Sequence, residues 1–227
     1  MHKASVIIPA YNEADYLPLT LVALKKLSTI GEIIVVDDGS NDDTFHVARR
    51  FTEHVIRLPI NRGKGAALEA GWKQATHPYL LFLDADLGAS ATHAELLLQP
   101  VIDGKCDMAV ALLPKSNKKS GLGFVKRTAQ MGINRLTHRK MNAPLSGQRA
   151  LHRDMISYIQ NPDCRFGIEI SMTIDLLQAG FHIIETPVPF SHRVSGNNLP
   201  GFLHRGQEWC DITRVLVGKW RSEGYGK

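Results

Sequence analysis

Residues 79–86 read Tyr79-Leu80-Leu81-Phe82-Leu83-Asp84-Ala85-Asp86, an apolar run that passes directly into two aspartates. A short run of this kind is typical of a strand that is covered on both faces of a sheet. Similar runs, each followed by polar residues, occur at Ala4–Pro9 and Glu32–Val36. The pattern predicts a mostly parallel sheet whose strands end at one polar edge.

Helical patterns separate these runs, and the alternation predicts an α/β, Rossmann-like fold with helices flanking the sheet. The predicted strands are Ala4–Pro9, Glu32–Val36, Val55–Leu58, Tyr79–Leu83, Met108–Leu113 and His182–Val188, with a strand and short helix over Ala150–Ile159. The predicted helices are Ala14–Leu27, Asp42–Phe51, Gly65–Ala75, Ala91–Val101, Phe124–His138, Ile168–Ala179 and Phe202–Trp220. Polar loops are expected at Lys115–Gly123 and Ser191–Pro200. With no linker or repeat in view, residues 1–227 are expected to form a single domain.

The composition excludes several classes of protein. The chain has 227 residues, 44% hydrophobic and 22% charged, which suits one folded core and not a disordered tail. No apolar run reaches the roughly 18 residues that a membrane span needs. Three scattered cysteines do not suggest a disulfide framework or a zinc site, and no signal-peptide pattern is seen at the N-terminus. A cytoplasmic protein is therefore expected.

The two halves of the chain differ in charge. Residues 1–113 contain 10 Lys and Arg against 14 Asp and Glu, whereas residues 114–227 contain 17 against 8. A basic half can be only a solvated surface, or it can serve an anionic partner such as a phosphate-bearing substrate or a membrane. Nucleic acid is not favoured, because no aromatic-interleaved basic motif is present.

Asp84 and Asp86 are the most specific chemical signal. Two carboxylates just beyond a buried strand suit Mg²⁺ or Mn²⁺, which prefer oxygen ligands. The alternative is that Asp86 caps a helix that begins at Leu87–Gly88.

Three further polar clusters follow predicted strands: residues 9–13, residues 37–40 and residues 61–65. In parallel sheets such clusters meet in one crevice. One carboxylate of Asp37-Asp38 can accept hydrogen bonds from the base or ribose of a nucleotide, or the pair can serve the turn before Gly39. Arg62 and Lys64, at a helix start, suit a diphosphate. The glycine spacing matches neither a Walker A loop nor a dinucleotide fingerprint.

The ordered motifs resemble the family 2 glycosyltransferases of the GT-A fold. They are Val6-Ile7-Ile8-Pro9-Ala10-Tyr11-Asn12-Glu13, Ile33-Ile34-Val35-Val36-Asp37-Asp38-Gly39-Ser40, Asn61-Arg62-Gly63-Lys64-Gly65, Asp84-Ala85-Asp86, Leu145-Ser146-Gly147-Gln148-Arg149-Ala150-Leu151, Phe166-Gly167-Ile168-Glu169 and Val188-Pro189-Phe190-Ser191-His192-Arg193. The resemblance spans residues 4–196. It implies a nucleotide-sugar-binding half over residues 1–113 and an acceptor-binding half over residues 114–227.

The resemblance also implies roles for single residues. Those expected to bind the donor are Pro9, Tyr11, Glu13 and Asp38 at the nucleoside, Lys64 at the phosphates, and Asp84 at the ribose and metal. Asp86 and His192 would complete the metal site, and Ser146 and Gly147 would shape the acceptor pocket. Glu169 would be a general base for a hydroxyl acceptor, although an acidic residue at a helix start also suits the helix dipole.

Within the family, the second half resembles dolichyl- and polyprenyl-phosphate sugar synthases, while Gly63-Lys64-Gly65 resembles glucosyl-3-phosphoglycerate synthases. The expected activity is metal-dependent transfer of a sugar from a UDP- or GDP-sugar to a phosphate-bearing acceptor. A lipid acceptor would place the protein peripherally at the inner face of a membrane, although the sequence shows no C-terminal membrane-spanning helices. The terminal amphipathic helix either rests on that membrane or packs on the core or on a second copy in a homo-oligomer. Two alternatives are a non-catalytic sugar-nucleotide-binding subunit and a sugar-1-phosphate nucleotidylyltransferase.

Overall fold

The computed structural model describes residues 2–114, 123–161, 164–192 and 199–224, and within the last stretch it places the side chains of residues 209–221. The strands are β1 (Ala4–Ala10), β2 (Ile30–Asp37), β3 (Val55–Arg57), β4 (Tyr79–Phe82), β5 (Met108–Leu112), β6 (Arg149–His152) and β7 (Ile183–Pro187). The α-helices are α1 (Leu17–Leu24), α2 (Thr44–Arg49), α3 (Lys64–Gln74), α4 (Ala94–Ile102), α5 (Gly123–Thr137), α6 (Ile168–Gln178) and α7 (Leu199–Gly224). Short 3₁₀ helices lie at Gly88–His93, Arg153–Tyr158 and Arg165–Gly167.

The strands form one sheet in the order β3-β2-β1-β4-β6-β5-β7. Strand β6 runs antiparallel to both of its neighbours, and the other pairs are parallel. The predicted mostly parallel sheet in a single α/β domain is thus confirmed. Because β1, β2 and β4 are parallel and adjacent, the loops at their carboxyl ends emerge side by side.

Both faces of the sheet are buried. On β1, Val6 and Ile8 belong to one apolar cluster with α1 and α4, whereas Ile7 belongs to a second cluster with α3, α5 and α6. Alternate residues of a strand point to opposite faces, so a strand buried on both sides must be apolar throughout. This is why the sequence shows continuous apolar runs here.

Helix α1 begins three residues later than the sequence pattern predicts. Residues 12–16 form a turn in which Asn12 has a positive φ of 55° and Tyr16 N donates to Glu13 O at 3.1 Å. Glu13 N also donates to Thr44 Oγ1 at 2.8 Å, which joins this turn to the start of α2. The segment after β1 is therefore loop at the sheet edge and only then becomes helix.

The apolar residues of the terminal helix α7 differ in exposure. Ile212 is buried, and Val215 and Leu216 pack against the same apolar cluster as α5 and α6. Trp209 and Trp220 on the same helix are exposed. One side of α7 thus packs on the core, and the other side faces outward.

The two predicted polar loops fall mostly on residues 115–122 and 193–198, which lie outside the described residues. Gly123 begins α5, and Leu199 begins α7. Among the described residues, no helix combines the length and the apolar character required to cross a membrane.

Candidate active site

Asp84 and Asp86 lie at the carboxyl end of β4 with Ala85 buried between them. Thr20 of α1 fixes this turn, since its hydroxyl donates to Ala85 O at 2.7 Å and accepts from Gly88 N at 2.8 Å. The apolar residue is thereby held in the core while the two carboxylates remain partly exposed. Asp86 does not act as a helix cap, because the following 3₁₀ helix has Leu87 at its N-cap position and no side-chain cap.

His192 completes a group of three possible metal ligands with these aspartates. Its Nδ1 lies 2.9 Å from Asp86 Oδ1 and 4.0 Å from Asp84 Oδ2, and one ligand atom from each residue lies within 4.8 Å of the others. The backbone of Ser191 is held by Ser90 Oγ at 3.0 Å, which fixes the segment that carries His192. Two carboxylates and an imidazole suit a divalent cation such as Mg²⁺ or Mn²⁺.

The proton affinity of His192 reflects the same neighbours. Burial alone would lower its pKa, but the hydrogen bond to Asp86 and the charge of Asp84 outweigh burial and raise the pKa above the usual value. The imidazole therefore carries more positive charge near neutral pH than a free histidine. This charge stabilises the two aspartates in the absence of a cation.

Lys64, the first residue of α3, bridges two acidic groups. Its Nζ lies 2.6 Å from Asp84 Oδ1 and 2.9 Å from Glu169 Oε1. Burial opposes the charge of the lysine, yet the two carboxylates raise the pKa of Lys64. Burial likewise opposes the charge of Asp84, but Lys64 and His192 hold its pKa below the usual value. Lys64 and Asp84 therefore each favour the charged form of the other.

Gly147 lies against this cluster, where a larger residue would force the Lys64 side chain to shift. A Cβ at this position would lie 2.2 Å from Lys64 Nζ and 3.0 Å from Asp84 Oδ1. Ser146 beside it is buried, and its hydroxyl donates to Gln148 Oε1 at 3.2 Å. The loop before β6 thus lies against the cluster, and the part of Ser146 and Gly147 in an acceptor pocket stays a prediction.

Gln148 and Arg149 were not among the predicted site residues. Gln148 Nε2 donates to Asp84 Oδ2, the oxygen on the side away from Lys64. Arg149 is 1% exposed, and it donates to Ser146 O at 2.9 Å and to Thr173 Oγ1 at 2.8 Å. Burial lowers the pKa of Arg149 to about 10, against the opposing charges of Glu169 and Glu185. Their position directly after Ser146-Gly147 was the available signal.

Arg149 connects the two parts of the site that come from the second half. Through Ser146 O it holds the loop before β6, and through Thr173 it reaches α6. Thr173 Oγ1 in turn donates to Glu169 O at 2.7 Å. The position of the Glu169 carboxylate opposite Lys64 therefore depends on a buried polar chain.

Asp38 has both carboxylate oxygens engaged by backbone groups. Arg62 N donates to Oδ1 at 2.8 Å and Gly63 N to Oδ2 at 2.7 Å. Burial raises the pKa of Asp38, although these two hydrogen bonds and Arg165 oppose the rise. The residue holds the loop that leads into α3 and Lys64, and its contact with a nucleotide base stays a prediction.

The remaining predicted donor residues lie on the loop after β1. Pro9 is half-buried within β1, Tyr11 is 43% exposed, and the Glu13 backbone is tied to α2. A groove of about 390 Å³ lies on the neighbouring loops after β2 and β3, lined by Gly39, Ser40, Asn41, Arg57, Leu58 and Pro59. The structure thus gathers Lys64, Asp84, Asp86, Gly147, Glu169 and His192 in one cluster and leaves the other predicted donor residues on adjacent loops.

The sequence of this chain is similar to those of known proteins. A family model described as "Glycosyl transferase family 2" matches residues 5–160. An undecaprenyl-phosphate 4-deoxy-4-formamido-L-arabinose transferase of Klebsiella pneumoniae subsp. pneumoniae is 31% identical over 95% of this chain and 68% of its own length. An uncharacterized protein of Methanocaldococcus jannaschii is 34% identical over 59% of this chain and 56% of its own.

Solved structures of similar fold include glucosyl-3-phosphoglycerate synthase from Mycobacterium tuberculosis. In complex with Mg²⁺ and UDP it matches with a TM-score of 0.80 and 21% identity, over 96% of this chain and 79% of that one. In complex with Mn²⁺, UDP-glucose and phosphoglyceric acid it matches with a TM-score of 0.78 and 21% identity, over 96% and 79%. The likeness confirms the GT-A fold that the sequence motifs predict.

Proposed function

Because the chain belongs to glycosyl transferase family 2, we propose that it transfers a sugar from a UDP- or GDP-linked donor to a phosphate-bearing acceptor, with Mg²⁺ or Mn²⁺ as cofactor. That it is a glycosyltransferase follows from the family. The identities of the metal, the donor and the acceptor are what we propose. The observation that carries it is the group Asp84, Asp86 and His192 at the carboxyl end of β4, with Lys64 at its side.

The donor would lie along the carboxyl ends of β1, β2 and β4. In this proposal Pro9, Tyr11, Glu13 and Asp38 line the nucleoside pocket, and Lys64 moves its charge from Asp84 and Glu169 towards the diphosphate. A cation held by Asp84, Asp86 and His192 would neutralise the negative charge that develops on the leaving nucleoside diphosphate. The M. tuberculosis synthase of similar fold has been solved with Mn²⁺ and UDP-glucose, which supports this choice of ligands.

The acceptor would approach from the second half of the chain. The Klebsiella relative is named for undecaprenyl phosphate, and the structurally similar synthase was solved with phosphoglyceric acid; both acceptors carry phosphate. Residues 108–153 contain ten Lys and Arg and no Asp or Glu, which favours an anion on this side. We favour a polyprenyl phosphate at the cytoplasmic face of a membrane, with Ser146 and Gly147 shaping its phosphate pocket.

The role of Glu169 depends on the acceptor. A hydroxyl must lose a proton during transfer, and Glu169 would accept it once Lys64 has turned to the diphosphate. A phosphate is already ionised at neutral pH and needs no base. With a phosphate acceptor, Glu169 would serve to hold Lys64 in place.

Calorimetry of UDP and GDP binding, with and without Mn²⁺, tests the proposed donor site. The expected result is nucleotide binding that strengthens with Mn²⁺ and falls at least tenfold in Asp86→Ala. Asp154→Ala is the matched control, because the Asp154 side chain is 81% exposed and outside the cluster. Binding that is indifferent to both the metal and Asp86→Ala would contradict the proposed site.

A turnover assay separates sugar transfer from the two alternative functions. Transfer of sugar from a panel of UDP- and GDP-sugars to undecaprenyl phosphate or 3-phosphoglycerate is the expected result. Metal-dependent binding without any transfer would favour a non-catalytic binding subunit. Release of pyrophosphate from a nucleoside triphosphate and a sugar 1-phosphate would favour a nucleotidylyltransferase.

A further inference from the structure

Helices α5 and α7 together expose a surface that is both apolar and basic. On α7, Trp209, Val217 and Trp220 are exposed, whereas Ile212 is buried. On α5, Phe124 is 67% exposed and Met131 is 70% exposed. Large apolar side chains scattered singly over a surface are ordinary, but here they share two packed helices.

The apolar side chains of the two helices are continuous. The ring of Phe124 lies 6.0 Å from the ring of Trp209, so the exposed side of α5 continues directly into that of α7. The inner side of α7 is packed tightly, since a Cβ at Gly132 of α5 would lie 2.3 Å from Leu216. The two helices are therefore a fixed platform, and their outward side chains form one surface.

Among the described side chains of α5 and α7, the exposed charges have a single sign. They belong to Lys126, Arg127, Arg135, Arg214 and Arg221. The described side chains of α5 and α7 include one carboxylate, Asp211, which is 9% exposed and lies 3.3 Å from Arg214. Such a surface complements a layer of negative charge.

We infer that this α5–α7 platform docks on an anionic lipid surface. Trp and Phe side chains favour the boundary between headgroups and acyl chains, and Lys and Arg beside them bind anionic headgroups. A second copy of the chain fits less well, because a symmetric contact would place the same five cationic residues of each copy against one another.

The platform lies beside the acceptor side of the candidate site. A Cβ at Gly167 would lie 2.5 Å from Val215 of α7, and Glu169 follows two residues later at the start of α6. Docking through α5 and α7 would therefore hold this side of the site near the membrane. The inference extends the proposed polyprenyl phosphate acceptor, but its test needs neither donor nor acceptor, so the two can fail separately.

Co-sedimentation of the full chain with vesicles tests the inference. Vesicles of phosphatidylcholine with about 30 mol% phosphatidylglycerol, which give the surface a negative potential, are compared with vesicles of pure phosphatidylcholine. The expected result is at least tenfold stronger binding to the anionic vesicles, with loss of binding at high salt. Equal binding to both vesicles, or none to either, would overturn the inference.

Two double variants locate the contact. Trp209→Ala with Trp220→Ala removes the aromatic part, and Arg127→Glu with Arg221→Glu reverses two charges; each is expected to weaken vesicle binding at least tenfold. The matched controls are Leu19→Ala with Leu96→Ala, which remove exposed leucines elsewhere, and Lys25→Glu with Lys73→Glu. If the controls lower binding as much as the platform variants, the platform is not the docking surface.

Tryptophan fluorescence gives a second readout. Trp72 is 6% exposed, whereas Trp209 and Trp220 are exposed, so quenching by brominated lipid must arise from α7. Strong quenching with anionic vesicles is expected. Sedimentation equilibrium tests the other occupant: a dimer that Trp209→Ala with Trp220→Ala dissociates, together with no vesicle binding, would assign the platform to a second copy and overturn the inference.

Discussion

Lys64 and Lys219 each pair with an aspartate, and the two pairs have the same chemistry and different surroundings. Lys64 pairs with Asp84 at the sheet edge, and Lys219 of α7 pairs with Asp175 of α6. At the sheet edge, Asp86 and Glu169 add two more carboxylates, and the Asp84 side chain is 27% exposed. The Asp175 side chain is 3% exposed, and its Oδ2 accepts from Gln160 N at 2.9 Å.

The difference shows what distinguishes a site from a structural contact. The Lys219–Asp175 pair is closed by packing and joins α7 to α6. The sheet-edge cluster has three carboxylates around Lys64 and His192, and it is open enough for a ligand to change its partners. Excess charge with partial exposure, and not the buried pair itself, marks the site.

Breaking the structural pair is expected to have the largest effect on stability. Lys219→Met leaves the Asp175 carboxylate buried without its cation, which costs about 3–5 kcal/mol. Urea unfolding measures the loss. The double variant Lys219→Met with Asp175→Leu should recover most of it, because an apolar pair of similar size replaces the ions. A double variant no more stable than the single one would show that the pair itself is not the cause.

Breaking the Lys64–Asp84 pair should lower the free energy of unfolding by less, and added metal should restore part of the loss. Lys64→Met leaves Asp84 and Glu169 without their shared cation, but partial exposure limits the loss to about 2 kcal/mol. Mn²⁺ should restore stability to Lys64→Met and not to Lys219→Met, since only the first variant exposes unpaired carboxylates to a bound cation. If Mn²⁺ stabilised both variants equally, the proposed difference between the two pairs would be wrong.

The cost of Lys64→Met should also depend on pH. Lys64 and His192 hold the pKa of Asp84 below its usual value, despite burial. Stabilisation from a carboxyl of this kind is present above the unfolded pKa of about 4 and is lost as the pH falls through the folded pKa. The stability difference between the native protein and Lys64→Met should therefore be widest near neutral pH and narrow below about pH 4. Urea unfolding from pH 3 to pH 7 checks this, and a constant difference would contradict the cause.

A steric variant should affect activity more than folding. In Gly147→Ala the new methyl group displaces Lys64 Nζ, the end of a flexible side chain, so the fold should survive. Displacing a charged group from the site should lower kcat/KM about 10- to 100-fold. Gly123→Ala is the matched control, because a Cβ there meets nothing within 4 Å. A similar loss in both variants would show that the effect is not local to the cluster.

Thiol labelling should show the smallest effect of these variants, and it reports directly on how α7 packs. Burial raises the pKa of Cys106 to about 11 and that of Cys164 to about 12, whereas Cys210 is exposed. At pH 8 Cys210 should react first with a disulfide reagent, and the other two slowly. Lys219→Met should speed the reaction of Cys164, which precedes the turn that α7 covers, and Lys64→Met should not. Unchanged Cys164 labelling in both would mean that the pair does not hold α7 in place.

The sequence predicts the sheet and the aspartates well because both signals are local. Apolar runs identify strands buried on two faces, and residues just after parallel strands must meet at one edge. Asp84 and Asp86 were found in this way. The late start of α1, after the turn at residues 12–16, was missed because a hydrogen bond from Glu13 N to Thr44 of α2, far along the chain, helps to hold that turn.

Other parts of the site depend on contacts that a sequence pattern does not encode. His192 is 106 residues from Asp86, and it was identified by resemblance and not by spacing. Gln148 and Arg149 were missed because β6 enters the sheet antiparallel between β4 and β5, an order that the strand pattern does not reveal. The two roles of α7 were also undecided, since an amphipathic pattern does not say which apolar residues find a partner.

Pulsed electron paramagnetic resonance of Mn²⁺ with UDP bound tests whether His192 is a metal ligand, since it detects the nuclei that surround the cation. We expect a nitrogen coupling from the His192 imidazole and a phosphorus coupling from the diphosphate. In His192→Asn the nitrogen coupling should vanish, while His93→Asn, a nearby histidine outside the cluster, should leave it intact. Bound Mn²⁺ that shows no nitrogen coupling, or a coupling that persists in His192→Asn, would contradict the account.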